Sequence, residues 1–230
     1  MCGRFTLTLV DPAVLAAEFA LSGLLPPLAL RYNIAPTQPV ATVIHAPNES
    51  HNRLGLMRWG LIPRWAKDRS IGARLINARA ETVHQKPSFR QALHRRRCLV
   101  LADGFYEWQK RAEGARQPYF VTLKERRPFG FAGLWERWRD PASGEELTTC
   151  TLITTAANAL LAPIHERMPV ILPREAYAAW LDPTLTDPQA VRALLRPLPA
   201  ERLRAWPVSR RVNSPANDDP ALLEEVGTGN

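Results

Sequence analysis

Removal of Met1 from this chain would leave Cys2 as the first residue. Because initiator methionine is commonly removed before a small residue, we expect a mature chain with an α-amine and a thiol on adjacent carbons. Both groups are partly nucleophilic near neutrality, since their reference pKa values are about 8 and about 8.5, and Arg4 is a cation that would favour the thiolate. Such a 1,2-aminothiol condenses with an aldehyde through its amine and closes a thiazolidine ring through its sulfur. The alternative is a chance cysteine, partly buried and inert.

A second segment, Asn77-Ala78-Arg79-Ala80-Glu81, alternates polar residues with alanine. If this segment is extended, Asn77, Arg79 and Glu81 point to one face. An amide beside a guanidinium is suited to orienting a substrate and gripping a phosphate. An edge strand with a polar face is the alternative.

Glu107 lies in a third segment, Ala102-Asp103-Gly104-Phe105-Tyr106-Glu107-Trp108, which follows an apolar run. We expect Asp103 and Gly104 to bend the chain and to leave Glu107 beside bulky aromatic residues. A carboxyl group against aromatic walls tends to have a raised pKa, which suits general acid–base catalysis. The alternative is a glutamate at the solvent end of a strand.

A fourth segment, Ile164-His165-Glu166-Arg167-Met168-Pro169, combines a proton carrier with a cation. Pro169 disfavours helix at Met168, so a preceding helix should end near His165. His165 and Arg167 could then face the same way. A structural histidine near a helix end is the alternative.

Three tryptophans, Trp59, Trp65 and Trp108, lie near basic or proline-rich turns. Exposed aromatic side chains interleaved with arginine form the usual platform for stacking single-stranded bases. Core packing is the alternative for any one of them.

The elements that must position these residues follow from β-branched, aromatic and capping patterns. We predict strands at 4–9, 40–45, 54–59, 99–108, 119–123, 130–135, 147–155, 170–172 and 205–209. We predict helices at 12–21, 88–97, 158–164, 175–181 and 188–195, the first capped by Asp11 and the second by Ser88.

Strands outnumber helices in this reading and often follow one another directly. The pattern indicates an α+β fold whose mainly antiparallel, curled sheet is barrel- or sandwich-like, with peripheral helices. We expect a single domain over residues 2–220 and a flexible tail over residues 221–230.

The composition favours an anionic partner, because the formal net charge is +8 and the pI is near 10. Nucleic acid is favoured over a membrane surface, although a general bias towards arginine would give the same charge. No run of 18 apolar residues is present, so we expect no membrane span. The first residues do not resemble a signal peptide, so we expect a cytoplasmic protein, nucleoid-associated if bacterial.

Cysteine and histidine spacing indicates neither a metal site nor a disulfide framework, and no cofactor is expected. Cys98 and Cys150 lie in apolar, strand-like stretches and are expected to behave as small buried hydrophobic residues.

Taken together, these segments resemble the SRAP (SOS-response-associated peptidase) family, from Cys2 to about Asp219. The resemblance rests on Cys2-Gly3-Arg4-Phe5, Arg31-Tyr32-Asn33-Ile34-Ala35-Pro36, Trp59-Gly60-Leu61-Ile62-Pro63, Asn77-Ala78-Arg79-Ala80-Glu81-Thr82, Ala102-Asp103-Gly104-Phe105-Tyr106-Glu107-Trp108, Ile164-His165-Glu166-Arg167-Met168-Pro169 and Pro207-Val208-Ser209. One departure is Leu101, where many members have proline.

The resemblance implies catalytic roles for Cys2, Asn77, Glu107 and His165. It implies DNA contacts from Arg4, Arg79 and Arg167, and we add to these Trp65, Trp108, Asn33 and Pro36. The family binds single-stranded DNA and crosslinks covalently to abasic sites, and it is also described as a peptidase that acts on its own N-terminus.

The expected function is therefore capture of abasic sites in single-stranded DNA by a thiazolidine crosslink at Cys2, which shields the lesion. Strand cleavage by β-elimination is a possible side reaction, and the protein is expected to act as a monomer. Two alternatives stay open: a thiol-dependent peptidase using Cys2, and a noncovalent single-stranded DNA-binding protein.

Overall fold

The computed structural model describes residues 2–45, 51–110 and 115–227. Within these residues it contains twelve strands: β1 (Arg4–Leu7), β2 (Arg31–Ile34), β3 (Pro39–His45), β4 (Asn52–Trp59), β5 (Asn77–Arg79), β6 (Arg97–Ala102), β7 (Gly104–Gln109), β8 (Gln117–Leu123), β9 (Phe129–Arg139), β10 (Glu146–Ala156), β11 (Arg167–Pro169) and β12 (Leu203–Pro207). The same residues contain four α-helices: α1 (Pro12–Phe19), α2 (Arg90–Arg95), α3 (Tyr177–Leu181) and α4 (Pro188–Ala193). They also contain five short 3-10 helices: Arg69–Arg74, Arg174–Ala176, Ala200–Arg202, Arg210–Asn213 and Pro220–Leu223. In these parts of the chain no helix has the length and apolar character needed to cross a membrane.

Five strands close into a barrel in the order β10-β4-β3-β6-β9, and the pairing of β9 with β10 completes the circle. Closure leaves these strands without a free edge. Neighbours in the barrel are antiparallel except β10 and β4. The short strand β5 pairs in parallel with β10 beyond β4, and β11 pairs antiparallel with its end. The end of β10 thus brings the second and fourth segments of interest together.

The second sheet has the order β12-β8-β7-β1-β2, and all its neighbours are antiparallel. With the barrel and the peripheral helices it confirms the predicted α+β, mainly antiparallel architecture.

Asp103 is the point at which the chain leaves the barrel for the second sheet, between β6 and β7. Its buried carboxylate accepts hydrogen bonds from Thr6 Oγ1, Thr8 Oγ1 and Leu9 N. The single strand predicted at 99–108 is therefore two strands separated by the bend expected at Asp103. Gly104 permits a close approach there, because a Cβ atom at this position would lie 2.1 Å from Phe120 Cζ.

Phe5 holds β1 against the barrel. Its ring centroid lies 5.1 Å from that of Trp59 on β4 and 5.7 Å from that of Phe131 on β9, both in edge-to-face geometry. All three side chains are buried. Aromatic pairs of this kind add to the hydrophobic stabilisation of a core, and this one fixes the chain three residues after Cys2.

Most of the remaining elements lie within a few residues of their predicted positions, and Asp11 caps α1 by accepting from Ala13 N and Val14 N. The strands β2 and β11 were not predicted. The predicted cap at Ser88 is wrong, because α2 begins at Arg90 and its N-cap, Phe89, makes no side-chain cap bond. The strand predicted at 170–172 is reduced to an isolated bridge between Phe131 and Ile171.

The helix predicted at 158–164 is wrong, since these residues form turns. Asn158 accepts from Leu161 N and donates to Leu198 O. Backbone bonds from Ala162 N to Asn158 O and from His165 N to Leu161 O form separate turns. Pro163 lies between them and has no N–H donor, so it interrupts the ladder that would join these turns into a helix.

We expected a flexible tail over residues 221–230, but residues 221–227 are packed against the fold. Residues 228–230 lie outside the described part of the chain. Leu222 is fully buried in a second small core with Tyr106, Phe120 and Val212. Val226 N also donates to Pro207 O. The C-terminal segment therefore covers the outer face of the second sheet.

Replacement of Leu222 by Ala should lower the free energy of unfolding by about 2–5 kcal/mol, the usual cost of a cavity left by a buried leucine. Urea denaturation followed by tryptophan fluorescence measures the change. Glu224→Ala, at an exposed position of the same segment, is the matched control and should change stability little. Equal stability of the Leu222 variant and the parent would mean that this segment does not contribute to the fold.

Candidate active site around Cys2

Cys2 is buried immediately before β1, with 0% of its surface exposed. Its backbone carbonyl accepts a 2.8 Å hydrogen bond from Asn77 Nδ2, and its thiol lies 3.8 Å from Arg4 O. The antiparallel register pairs Arg4 with Tyr106, so the start of β1 lies beside the end of β7, where Glu107 is found. Residues more than 70 positions apart in the sequence thus meet at one site.

The Cys2 thiol is held in its protonated form. Burial raises its pKa well above the usual range, and the negative charge of Glu107 raises it further. Our expectation that Arg4 would favour the thiolate is wrong. The Arg4 guanidinium instead donates to Asn33 Oδ1, Val212 O and Asn213 O.

Glu107 is a buried carboxyl group, 1% exposed, on β7. Burial raises its pKa to about 7, against a weaker opposing effect of the positive amino terminus. The predicted raised pKa is confirmed, and the alternative of a solvent-exposed glutamate at a strand end is excluded. At neutral pH such a group is present in both protonation states, so it can accept or donate a proton.

His165 lies half-buried in the turn before β11, and its Nδ1 is 3.0 Å from Arg167 N, which donates to it. Burial lowers the pKa of His165, and the positive charge at the amino terminus lowers it further. The ring is therefore neutral near pH 7. Its Nδ1 also lies 3.3 Å from Arg167 O, so the backbone of Arg167 orients the imidazole in either tautomer. A neutral imidazole beside the chain terminus can carry a proton to or from a reacting group.

Asn77 lies on β5, whose parallel pairing with β10 aligns Asn77 with Leu152. Its Oδ1 is buried and accepts no hydrogen bond within the described part of the chain. Asn77 therefore fixes the Cys2 end with its amide nitrogen and offers its oxygen to a bound group. Arg79, two residues on, is exposed as the strand alternation predicts.

Arg167 begins β11 and forms a bidentate ion pair with Glu81, with Nη1–Oε1 and Nη2–Oε2 distances of 2.7 and 3.0 Å. Its Nη2 also donates to Thr154 O at 2.7 Å. Glu81 lies in the turn after β5 rather than on the strand. The second and fourth segments are thus joined by a charge pair next to the Cys2 site.

The family model described as SOS response associated peptidase (SRAP) matches residues 1–215. This chain belongs to the SRAP family.

Several SRAP relatives are named for the processing of one type of DNA lesion. The abasic site processing protein YoqW of Bacillus subtilis is 47% identical over 226 residues, covering 97% of this chain and 99% of the relative. The abasic site processing protein HMCES of Gallus gallus is 37% identical over 196 residues, covering 75% of this chain and 57% of that longer protein. Among solved structures, a protein from Bacteroides thetaiotaomicron matches with a TM-score of 0.86 and 27% identity, over 98% of this chain and all of that one.

Asn33 has a structural position in this SRAP protein rather than the expected DNA contact. It is fully buried, accepts from Arg4, and donates through Nδ2 to the carbonyls of Val212, Ser214 and Asn217. A side chain enclosed by four protein partners has no surface for a phosphate or a base. Asn33 and Arg4 together connect strands β1 and β2 to residues 212–217 through hydrogen bonds.

The aromatic candidates separate by exposure. Trp65 is 60% exposed and is available for stacking. Trp108 is half-buried, and its Nε1 donates to Asn213 Oδ1 at 2.8 Å. Trp59 is fully buried and belongs to the core, so the core alternative holds for it. Pro36 is half-buried in the turn after β2.

Residues 212–217 support the site, and the SRAP motifs did not indicate this role. The carbonyl oxygens of Val212 and Asn213 accept hydrogen bonds from the Arg4 guanidinium, and Asn213 Oδ1 accepts one from Trp108 Nε1. No local signal could identify them, because their partners lie more than 100 residues away. Among the described residues, no three His, Cys, Asp or Glu side chains gather in a way that could hold a metal ion.

Alkylation of Cys2 in the native protein should be slow at pH 7.5, because the thiol is buried and its pKa is raised. Glu107→Gln removes a charge that raises this pKa, so the alkylation rate should increase, because a larger share of the thiol is then ionised. Iodoacetamide labelling followed by intact mass measures the rate. Cys98 and Cys150 are also buried with raised pKa values, and a Cys2→Ala variant gives their contribution. A rate unchanged in Glu107→Gln would contradict the assigned charge coupling.

Proposed function

We propose that this SRAP protein binds single-stranded DNA and captures abasic sites by a thiazolidine crosslink between Cys2 and the ring-opened aldehyde. The observation that supports it most is the convergence of Asn77, Glu107 and His165 on the Cys2 terminus. The names of YoqW and HMCES support abasic sites as the substrate. The crosslink would shield the lesion in the DNA damage response.

The first step requires removal of Met1, which gives Cys2 a free α-amine. Glu107 and His165 move protons as the closed sugar opens to its aldehyde. The amine adds to C1′ and water leaves, so an imine forms between the Cys2 nitrogen and the sugar carbon. Asn77 keeps the Cys2 carbonyl in place during these steps.

The second step is ring closure by sulfur. Because the Cys2 thiol is protonated in its buried position, it needs a base as it attacks the imine carbon. The Glu107 carboxylate accepts this proton as the carbon–sulfur bond forms and the carbon–nitrogen double bond becomes single. Glu107 then returns the proton to the nitrogen, which becomes the ring amine of a thiazolidine. Burial then keeps water away from the product and slows its hydrolysis.

We assign DNA binding to basic and aromatic residues of the surface. Arg79 and Arg167 contact phosphates in this proposal, and the exposed Trp65 stacks on a base. Arg4 acts through the protein contacts that fix β1. If the imine persists, β-elimination can cleave the strand as a side reaction.

The raised pKa of Cys2 gives no support to a thiol-dependent peptidase, since such an enzyme needs a thiolate nucleophile. A noncovalent DNA-binding protein differs from the proposal in one measurable respect, because it forms no adduct that survives denaturation.

Intact mass of the denatured protein after mixing with single-stranded DNA containing one abasic site tests the proposal. We expect a species that lacks Met1 and gains the oligonucleotide mass less one water. Cys2→Ser should retain DNA binding, measured by fluorescence anisotropy, but should form no stable crosslink because its hydroxyl is a much poorer ring-closing nucleophile. An equally stable crosslink from the Ser variant would rule out ring closure, and no adduct from the parent would favour the noncovalent alternative.

The crosslinking rate should rise with pH through an inflection near 7, because the Glu107 carboxylate, present above its pKa of about 7, accepts the thiol proton. Glu107→Gln should lose this inflection and crosslink about 10²-fold more slowly, a typical loss on removing a general base. The rise near 8 from the α-amine should remain. Single-turnover crosslinking on denaturing gels measures both profiles. Retention of the inflection near 7 in the Gln variant would assign it to another group.

A further inference from the structure

We propose that Glu81 occupies on Arg167 the position of a DNA phosphate, and that DNA binds there only after displacing the Glu81 carboxylate. The inference rests on the DNA binding proposed above. It adds a residue of this chain that limits the affinity for the substrate.

The contact between the two side chains has the geometry that a phosphate would use. Both Glu81 oxygens face the two terminal nitrogens of Arg167 at 2.7 and 3.0 Å. Arginine binds carboxylate and phosphate through the same pair of parallel hydrogen bonds. Arg167 therefore cannot present this edge to a phosphate while Glu81 remains bound.

The two partners differ in how firmly they are held. The Arg167 side chain is only 12% exposed, donates to Thr154 O, and extends from a residue in the β11 ladder. The Glu81 side chain is 51% exposed and lies in a turn. The cation is fixed in place by the fold, whereas the carboxylate can rotate into solvent.

The surroundings give the displaced carboxylate a second cationic location. Glu81 lines a surface cavity together with Arg192 and Arg196, which lie on and just beyond α4. Both arginines are exposed and make no side-chain hydrogen bond within the described residues. Because the Glu81 side chain is 51% exposed, water competes with Arg167 for its carboxylate, so exchange of Glu81 for a phosphate is energetically accessible.

The exchange also links the site to its substrate. The Arg167 backbone N–H donates to His165 Nδ1, so the residue that would receive the phosphate also orients the imidazole. An empty site is neutralised by Glu81, and a site holding DNA keeps the same charge balance with the phosphate in its place.

Binding of a single-stranded oligonucleotide with a central tetrahydrofuran residue tests the proposal, because this abasic analogue has no aldehyde and cannot crosslink. Glu81→Gln should bind it about threefold tighter, as expected when an exposed ion-pair competitor is removed. The gain should vanish when Arg167→Gln is combined with Glu81→Gln. Fluorescence anisotropy at several salt concentrations measures the affinities.

Glu166→Gln is the matched control, since Glu166 is exposed near His165 but makes no contact with the Arg167 guanidinium. Unchanged or weaker binding by Glu81→Gln would show that Glu81 is an anchor for Arg167 and would overturn the inference. An equal gain in Glu166→Gln, or a gain that persists without Arg167, would also overturn it by showing a general charge effect. No binding by the parent protein would overturn the proposed function, and this inference with it.

Discussion

The packing of Phe5 against Trp59 and Phe131 is the interaction on which the site depends. A chain terminus is ordinarily exposed and loosely held, yet here an aromatic anchor three residues later fixes the terminus between a barrel and a second sheet. Antiparallel pairing of β1 with β7 then sets the distance from Cys2 to Glu107, and the Asn77 bond sets the distance to β5. Without the packing of Phe5, Cys2 would not be held beside Glu107 and Asn77.

Burial has a second consequence, which is electrostatic. The same exclusion of water that orders the terminus raises the pKa of the Cys2 thiol and of Glu107, and lowers that of His165. Each shift disfavours the charged form of its group. Near pH 7 the site therefore holds a neutral thiol, a neutral imidazole and a carboxyl group that is partly protonated. The charged pair of Arg167 and Glu81 lies at the exposed side of the site. Proton transfer and phosphate binding are thus separated in space.

The sequence could predict what depends on neighbouring residues along the chain. The aromatic context of Glu107 indicated its raised pKa, and the alternation around Asn77 indicated a strand. It could not predict the environment of Arg4, whose acceptors lie 208 and 209 residues away, or the burial of Asn33 by the same segment. The helix expected at 158–164 failed for a local reason, because Pro163 has no N–H and interrupts the ladder of backbone bonds.

The order of the proposed chemistry follows from these environments. A thiol with a strongly raised pKa is a poor nucleophile at neutrality. The α-amine has a reference pKa of about 8, so it reacts with the aldehyde first. Imine formation brings an electrophilic carbon within reach of the sulfur and next to Glu107. Removal of the thiol proton by Glu107 then leads directly to formation of the carbon–sulfur bond. A buried thiol is also protected from other electrophiles before DNA arrives. The burial that makes Cys2 unreactive alone is what would make it selective for a carbon already bound to its own amine.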